Sequence, residues 1–259
     1  MSRTYQTYFF TKIINIKLIT QLIVITVLLL KQTIVLAGED GIISIPSFKA
    51  TYSASMASVS VGEASVSYQY NPQTQDYYYQ REAWPTGLAA LFIATRIKET
   101  SSGSIIDNRA RPVEYHYERS NKPDKNRSIH FDYQATAIKV TDSKIDQPIS
   151  VDSGTTDSLV MTLNMMFDLE AGDRELSYTF IKRGKIKTYT FNVEGKEQIK
   201  TQNHTYETVR VRRIRENSKR STTLWCAPEL HYLPVKIEER SEDGGIERFL
   251  LKTVSIEGS

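Results

Sequence analysis

From Phe48 onward, apolar residues fall at every second position, the period of a half-buried strand. Phe48, Ala50, Tyr52, Ala54 and Met56 alternate with Lys, Thr and Ser. Ala64, Val66, Tyr68 and Tyr70 then alternate with Ser and Gln, so the two runs read as a long hairpin bent near Gly62. Asn71-Pro72-Gln73 makes a turn, and Asp76 to Ala83 starts a third strand in which Tyr77, Tyr78 and Tyr79 put aromatics on both faces. Strand-like runs follow over 95–101, 111–118, 127–133, 137–140, 176–182, 185–193, 206–215, 221–226, 235–239 and 246–256. The joints Arg183-Gly184, Glu194-Gly195 and Asp243-Gly244-Gly245 carry turn chemistry. No helices alternate with these runs, so antiparallel pairing is expected in a large curved sheet, a sandwich or a barrel.

Two segments leave the period of two. Thr86 to Thr95 has Leu88, Leu91 and Phe92 at helical spacing, which predicts a short helix. Thr156 is the expected cap of the main helix, where Leu159, Leu163 and Met166 recur at i, i+4 and i+7, and Gly172 ends it. Val160, Met161, Met165 and Phe167 occupy its other faces, so it should be buried against the sheet.

The first forty residues have a different chemistry. Arg3, Lys12 and Lys17 form a basic region, and Leu18 to Leu30 is mainly apolar before Lys31 interrupts it. Such a run suits a signal peptide of about 7–15 apolar residues better than a spanning helix of about 20. Val35-Leu36-Ala37 offers a cleavage site after Ala37, which predicts a leader over 1–37, a lead-in over 38–47 and one β-rich domain over 48–259. An uncleaved anchor is the alternative. No cysteine follows the leader to take a lipid. The expected location is the periplasm or the exterior, with no membrane span once the leader is removed.

The leader also accounts for the net charge of +3, because residues 1–37 hold four Lys or Arg and no acid. The remainder, with 29 basic and 30 acidic residues, is about neutral, which argues against nucleic acid as a partner. The one cysteine, Cys226, excludes an internal disulfide and reads as a buried strand thiol.

In order along the chain, Phe48-Lys49-Ala50-Thr51-Tyr52, Gly62-Glu63-Ala64, Arg111-Pro112-Val113-Glu114-Tyr115, Phe131-Asp132, Asp157-Ser158-Leu159, Trp225-Cys226-Ala227-Pro228 and Leu233-Pro234-Val235 resemble a family of bacterial periplasmic domains of unknown function, catalogued as number 3108. The resemblance runs from about Phe48 to Leu251. It implies an exported, mainly β scaffold similar to the half-barrel lipoprotein carriers: a large curved antiparallel sheet or half-barrel wrapping one main helix and one short helix. It implies no activity.

Residue patterns for catalysis or metal binding are weak. His116, His130, His204 and His231 sit on separate strands or turns without a metal-ligand spacing, and Cys226 lacks the surroundings of a nucleophile. No cofactor is expected. Asp152, Asp157 and Asp168 bracket the main helix, and Asp157 reads as a helix-start residue.

Binding residues are the stronger candidates. Arg210 and Arg212 share one face of a strand, with Val209 and Val211 on the other. The plain reading pairs those arginines with acids such as Glu238, Glu239 and Glu247, and the sharper one makes them an anion contact. Met161, Met165 and Phe167 on the main helix, with Trp84, Leu88, Phe92 and Trp225, are candidate ligand-lining residues, although each also suits an ordinary core.

The expected function is that of a non-enzymatic cell-envelope protein binding an apolar or amphiphilic, lipid-like molecule. The alternatives are an interaction module with an envelope protein partner, and a glycan or lipid hydrolase, which needs two carboxylates facing each other in a cleft.

Overall fold

The computed structural model describes residues 43–92, 94–134, 138–215 and 218–257. The expected leader, and the lead-in as far as residue 42, lie outside the described residues. Residues 42–259 form a compact unit that contains every described element and both apolar clusters of the core.

Fifteen strands make one sheet among the described residues. The first seven are β1 (Phe48–Met56), β2 (Val59–Asn71), β3 (Asp76–Pro85), β4 (Ile97–Ile106), β5 (Arg109–Arg119), β6 (Arg127–Tyr133) and β7 (Ile138–Asp142). The short strands β8 (Ile149–Val151) and β9 (Thr156–Asp157) precede the helix α1 (Val160–Glu170). After it come β10 (Glu175–Lys182), β11 (Lys185–Lys200), β12 (Thr205–Arg213), β13 (Ser221–Ala227), β14 (Leu233–Arg240) and β15 (Ile246–Ile256).

Chain neighbours pair antiparallel almost throughout, in the order β8 down to β1, then β15 down to β9. The first and last long strands close the meander on each other, with Phe48 opposite Ile256 and Met56 opposite Glu247. The exception is β9, which pairs parallel to β10 because α1 intervenes between them. The two sheet edges, β8 and β9, are therefore joined by only four residues of chain. This is the expected curved antiparallel sheet, with one helix inside it.

Register sorts the strand ends into two rims. The turns β1–β2, β3–β4, β5–β6, β10–β11, β12–β13 and β14–β15 lie at one end, since Gly62 faces Pro85, Ile97 faces Arg119, Tyr117 faces Arg127 and Arg240 faces both Ser221 and Ile246. The opposite end holds the β2–β3, β4–β5 and β11–β12 turns and the C-terminal half of α1. Three two-residue turns place both residues at positive φ, Ala57-Ser58, Asp107-Asn108 and Arg183-Gly184, the geometry that matches the twist of a hairpin.

Gly184 also ties the two arms of the sheet. At φ +73° it sits so close to the β7–β8 connection that a Cβ would lie 2.7 Å from Ile145 Cδ1 and 3.1 Å from an Arg127 nitrogen. The arms thus meet at this rim through side-chain packing.

The helix is buried nearly all round, as its sequence predicts. Val160, Leu163, Met166 and Phe167 enter one apolar cluster, and Met165 and Leu169 enter a second against β10 to β13. Burying each such side chain stabilises by about 1.5–3 kcal/mol. Its start is held by Asp157, whose Oδ1 accepts the N–H groups of Leu159 and Val160 at 2.7 and 3.1 Å. Thr156, the expected cap, lies instead in β9, because the carboxylate one residue later reaches both free donors. Gly172 ends the helix at φ +88° in a Schellman arrangement: its N–H donates to Leu169 O at 3.1 Å and that of Asp173 to Asp168 O at 2.8 Å.

Other expectations are corrected. The expected short helix is a 3-10 helix confined to Gly87–Leu91, not an α-helix, and it buries no side chain. Glu194-Gly195 is not a joint but a bulge inside the sixteen-residue β11, where Gly195 takes φ +137°. The β1–β2 turn falls at Ala57-Ser58, and Gly62 lies within β2, where a Cβ would run into the Trp84 carbonyl. The lead-in is ordered from Ile43 onward: Ile45 is buried, and Ser47 accepts hydrogen bonds from the backbone of Tyr70 and Glu257.

Candidate functional site

The space between the sheet and the first turn of α1 is a cavity of about 1000 Å³. Its apolar walls come from alternating inward positions of both arms, among them Val66, Ile129, Ile181, Phe191, Leu224 and Phe249, and Leu159 and Met161 from the helix. The period of two is what makes this possible, because each strand sends every second side chain inward. The lining reaches the rim at Lys144, Lys182 and Arg183, all exposed to solvent.

Deep in the cavity sits an ionic pair. Arg81 lines the wall with its side chain 48 % accessible, and its guanidinium lies 2.7 Å from Glu99, which is buried. Tyr115 donates to the other Glu99 oxygen at 3.2 Å. Beside them Asp157, wholly buried, accepts a 2.6 Å hydrogen bond from Ser101, which is in turn bonded to Tyr77. Burial pushes the Asp157 carboxyl up to about 6 against the pull of its hydrogen bonds, and Glu99 adds to the rise. Burial, followed by Glu99, likewise raises the Tyr115 phenol. A hydrolase would need two free carboxylates, but Asp157 accepts from Leu159, Val160 and Ser101, and Glu99 from Arg81 and Tyr115 on the neighbouring strands. Nothing in the arrangement indicates catalysis.

Near the rim the lining turns basic. Arg119, Arg213 and Arg215 all border the cavity, and each has a buried Nε–H with no hydrogen-bond partner among the described residues. Arg213 lies over the Tyr189 ring, 3.0 Å from guanidinium carbon to centroid. Arg215 donates to Thr222 at 3.0 Å. Burial pushes the Arg213 pKa down and Arg215 adds to this, although an arginine keeps its charge at neutral pH. A guanidinium with a spare N–H in a partly desolvated wall favours an anion, above all a planar or phosphate-like one. Apart from the Arg81–Glu99 pair the floor is mainly apolar, and basic side chains outnumber the acids Asp124, Glu239 and Glu247 in the lining near the mouth.

Of the candidate ligand-lining residues, Met161 lies in the cavity wall. Met165 and Phe167 are buried in separate apolar clusters and are not among the residues that line it. Trp225 points to the far side of β13, donating to Glu197 at 2.8 Å under the Lys236 ammonium, while its neighbour Leu224 faces the cavity. Trp84 is half-buried near the rim with Arg96 5.6 Å from its ring, and Leu88 and Phe92 stand exposed on the 3-10 turn.

Arg210 and Arg212 lie on the outer face and pair with Glu194, at 3.0 and 3.4 Å, rather than with Glu238, Glu239 or Glu247. The reason is strand order, since β11 is the direct neighbour of β12 and the other acids lie on β14 and β15. Continuing the Val209, Val211 alternation one step would have pointed to Arg213, the cavity-facing arginine that sequence reasoning missed.

The four histidines are at most partly buried, and each has a glutamate neighbour, the shortest being His130 to Glu114 at 2.6 Å. No group of side chains suited to a metal ion occurs among the described residues. Cys226 is buried in the second apolar cluster and burial raises its thiol pKa. No helix among the described residues is long and apolar enough to cross a membrane.

Among solved structures, the chain is similar to a β-barrel-like protein of a domain of unknown function, DUF1849, from Brucella abortus. The TM-score is 0.56 and the identity 9%, with 84% of this chain and 100% of that chain covered, a likeness of fold alone. No curated protein matches the sequence. The family described as a protein of unknown function (DUF3108) matches residues 47–251, most of the chain and nearly the whole of the curved sheet, and the protein belongs to that family.

Proposed function

We propose that the protein is a non-enzymatic envelope protein that binds an anionic amphiphile, taking hydrocarbon into the cavity and an acidic head at Arg119, Arg213 and Arg215. The observation that carries this is the polarity gradient of one hollow: mainly apolar walls around the Arg81–Glu99 pair below, and above them three arginines whose Nε–H groups have no partner among the described residues. A volume of about 1000 Å³ stands at the upper end of ordinary ligand pockets, which run from about 300 to 1000 Å³. Removing hydrocarbon from water would supply the driving force, about 25 cal/mol per Å². The head would choose among apolar ligands, because a fixed guanidinium fork pairs with carboxylate or phosphate. The leader-like chemistry of residues 1–37 supports a periplasmic or secreted location.

Native mass spectrometry of the protein purified without detergent, together with uptake of the neutral dye N-phenylnaphthylamine, tests the cavity reading. An adduct of lipid mass or saturable dye fluorescence is expected, and dye fluorescence should fall when Met161 is replaced by Trp. A clean ligand-free mass with no dye uptake would overturn it.

A further inference from the structure

Besides its charges, the cavity rim carries large apolar side chains that stand open to solvent. Leu88, Leu91 and Phe92 on the 3-10 turn are 79, 75 and 88 % exposed, and Met56 and Val59 at the β1–β2 turn are 47 and 65 % exposed. The two turns are neighbours, since Thr86 donates its N–H to Val61 O at 3.3 Å and Gly62 faces Pro85. None of these five side chains belongs to either apolar cluster of the core. Residues 86–95 contain no charge in a chain that is 24% charged.

The two ends of the sheet also differ in charge. By sequence, the connections at this rim hold eight basic and five acidic residues, whereas those at the opposite end hold four acids and one arginine. Four of these basic residues, Lys125, Lys144, Arg183 and Arg215, line the cavity, while Lys125 and Arg220 are paired with Asp124 and Glu242.

We infer that this rim docks on an anionic lipid surface. Leu88, Leu91 and Phe92 enter the boundary between headgroups and acyl chains, and the lysines and arginines around the mouth face acidic headgroups. Exposed apolar side chains gain from that boundary what they cannot gain in water, and basic residues are drawn to the negative potential of such a surface. An acidic protein would satisfy the charges but would have to bring a matching apolar groove. A bilayer supplies both at once, over an uncharged loop. Docking in this orientation brings the cavity mouth to the lipid surface. The inference does not depend on the cavity holding a ligand, because the rim side chains are exposed in their own right.

The test is co-sedimentation of residues 42–259, the compact unit with its own core, with vesicles. Phosphatidylcholine vesicles are compared with vesicles of phosphatidylcholine and phosphatidylglycerol at low salt. Partition into the anionic vesicles is expected to exceed that into neutral ones by about tenfold or more. The L88S/L91S/F92S variant should lose about tenfold of that partition while keeping the parent's circular dichroism and dye uptake. Sedimentation no greater than without vesicles, as a protein partner would give, overturns the inference, and so does a triple variant that binds like the parent. Failure of dye uptake alone would remove the cavity reading and leave this one standing.

Discussion

Ser101, in the middle of β4, donates a 2.6 Å hydrogen bond to Asp157, the residue whose other oxygen holds the first N–H groups of α1. One buried carboxylate thus ties the start of the inner helix to the wall facing it. Tyr77 extends the tie to β3. The helix is positioned by polar contacts at three heights: Asp157 at its start, Asn164 against Ala110 of β5, and Asp168 between Arg109 and Tyr178.

Because burial lifts Asp157 from 3.8 to about 6, the native state binds the proton more tightly than the unfolded chain does. The sign follows from linkage: this group's contribution is most favourable below about pH 4 and is lost as pH rises through 6. The loss is about 3 kcal/mol. Asp157→Asn removes the titration yet can keep acceptors for Leu159 and Val160. In urea unfolding at pH 4.5 and 7, the stability of the Asp157→Asn variant should fall less with pH than that of the parent. Equal slopes would contradict the assignment.

Asn164 accepts from the Ala110 N–H at 2.8 Å and donates to its carbonyl at 3.4 Å, both buried. Asn164→Ala strands both groups, at a cost of about 2–4 kcal/mol. Hydrogen exchange should speed up at Ala110 more than at the far strands of the sheet. A uniform increase would mean that the bond is not a local tie.

Gly184→Ala puts a Cβ at a positive φ and 2.7 Å from Ile145. The expected loss is roughly 1–3 kcal/mol. Adding Ile145→Ala should recover the clash part but not the backbone part, giving a coupling of about 1 kcal/mol in a double-mutant cycle. Strict additivity would show that the arms do not touch there.

Tyr178→Phe removes a 2.7 Å donor from Asp168, whose carboxyl burial raises and whose partners Tyr178 and Arg109 pull back down. The variant should lose about 1–2 kcal/mol at pH 7, and less at a pH low enough to protonate the raised Asp168 carboxyl. Thermal denaturation at the two pH values checks this.

The long strands are legible in the residue pattern through their period of two, and the apolar i, i+4, i+7 spacing of Leu159, Leu163 and Met166 locates the inner helix. What the pattern hides is set by contacts distant in the chain. Ile149–Val151 and Thr156–Asp157 are too short to show a period, yet they are the two sheet edges. Leu88, Leu91 and Phe92 have helical spacing but stay exposed, and the segment forms only a short 3-10 helix. Gly195 looks like a turn because glycine serves bulges and turns through the same freedom of φ. For the site, alternation along β12 is correct, but which parity faces the hollow depends on the curl of the sheet. The cavity's cationic mouth is assembled from β5, β12 and the segment after it, which no local pattern could bring together.

As proposed, one cavity holds a hydrocarbon chain beneath the arginines at its mouth. The most direct measurement compares the affinity of cis-parinaric acid with that of its methyl ester, in the parent and in R213A/R215A. The parent should bind the acid about tenfold or more tightly than the ester, from roughly 1.5–3 kcal/mol per charge-assisted hydrogen bond, and the double variant should bind the two alike. Equal affinities in the parent, or an acid preference that survives loss of both arginines, would contradict it.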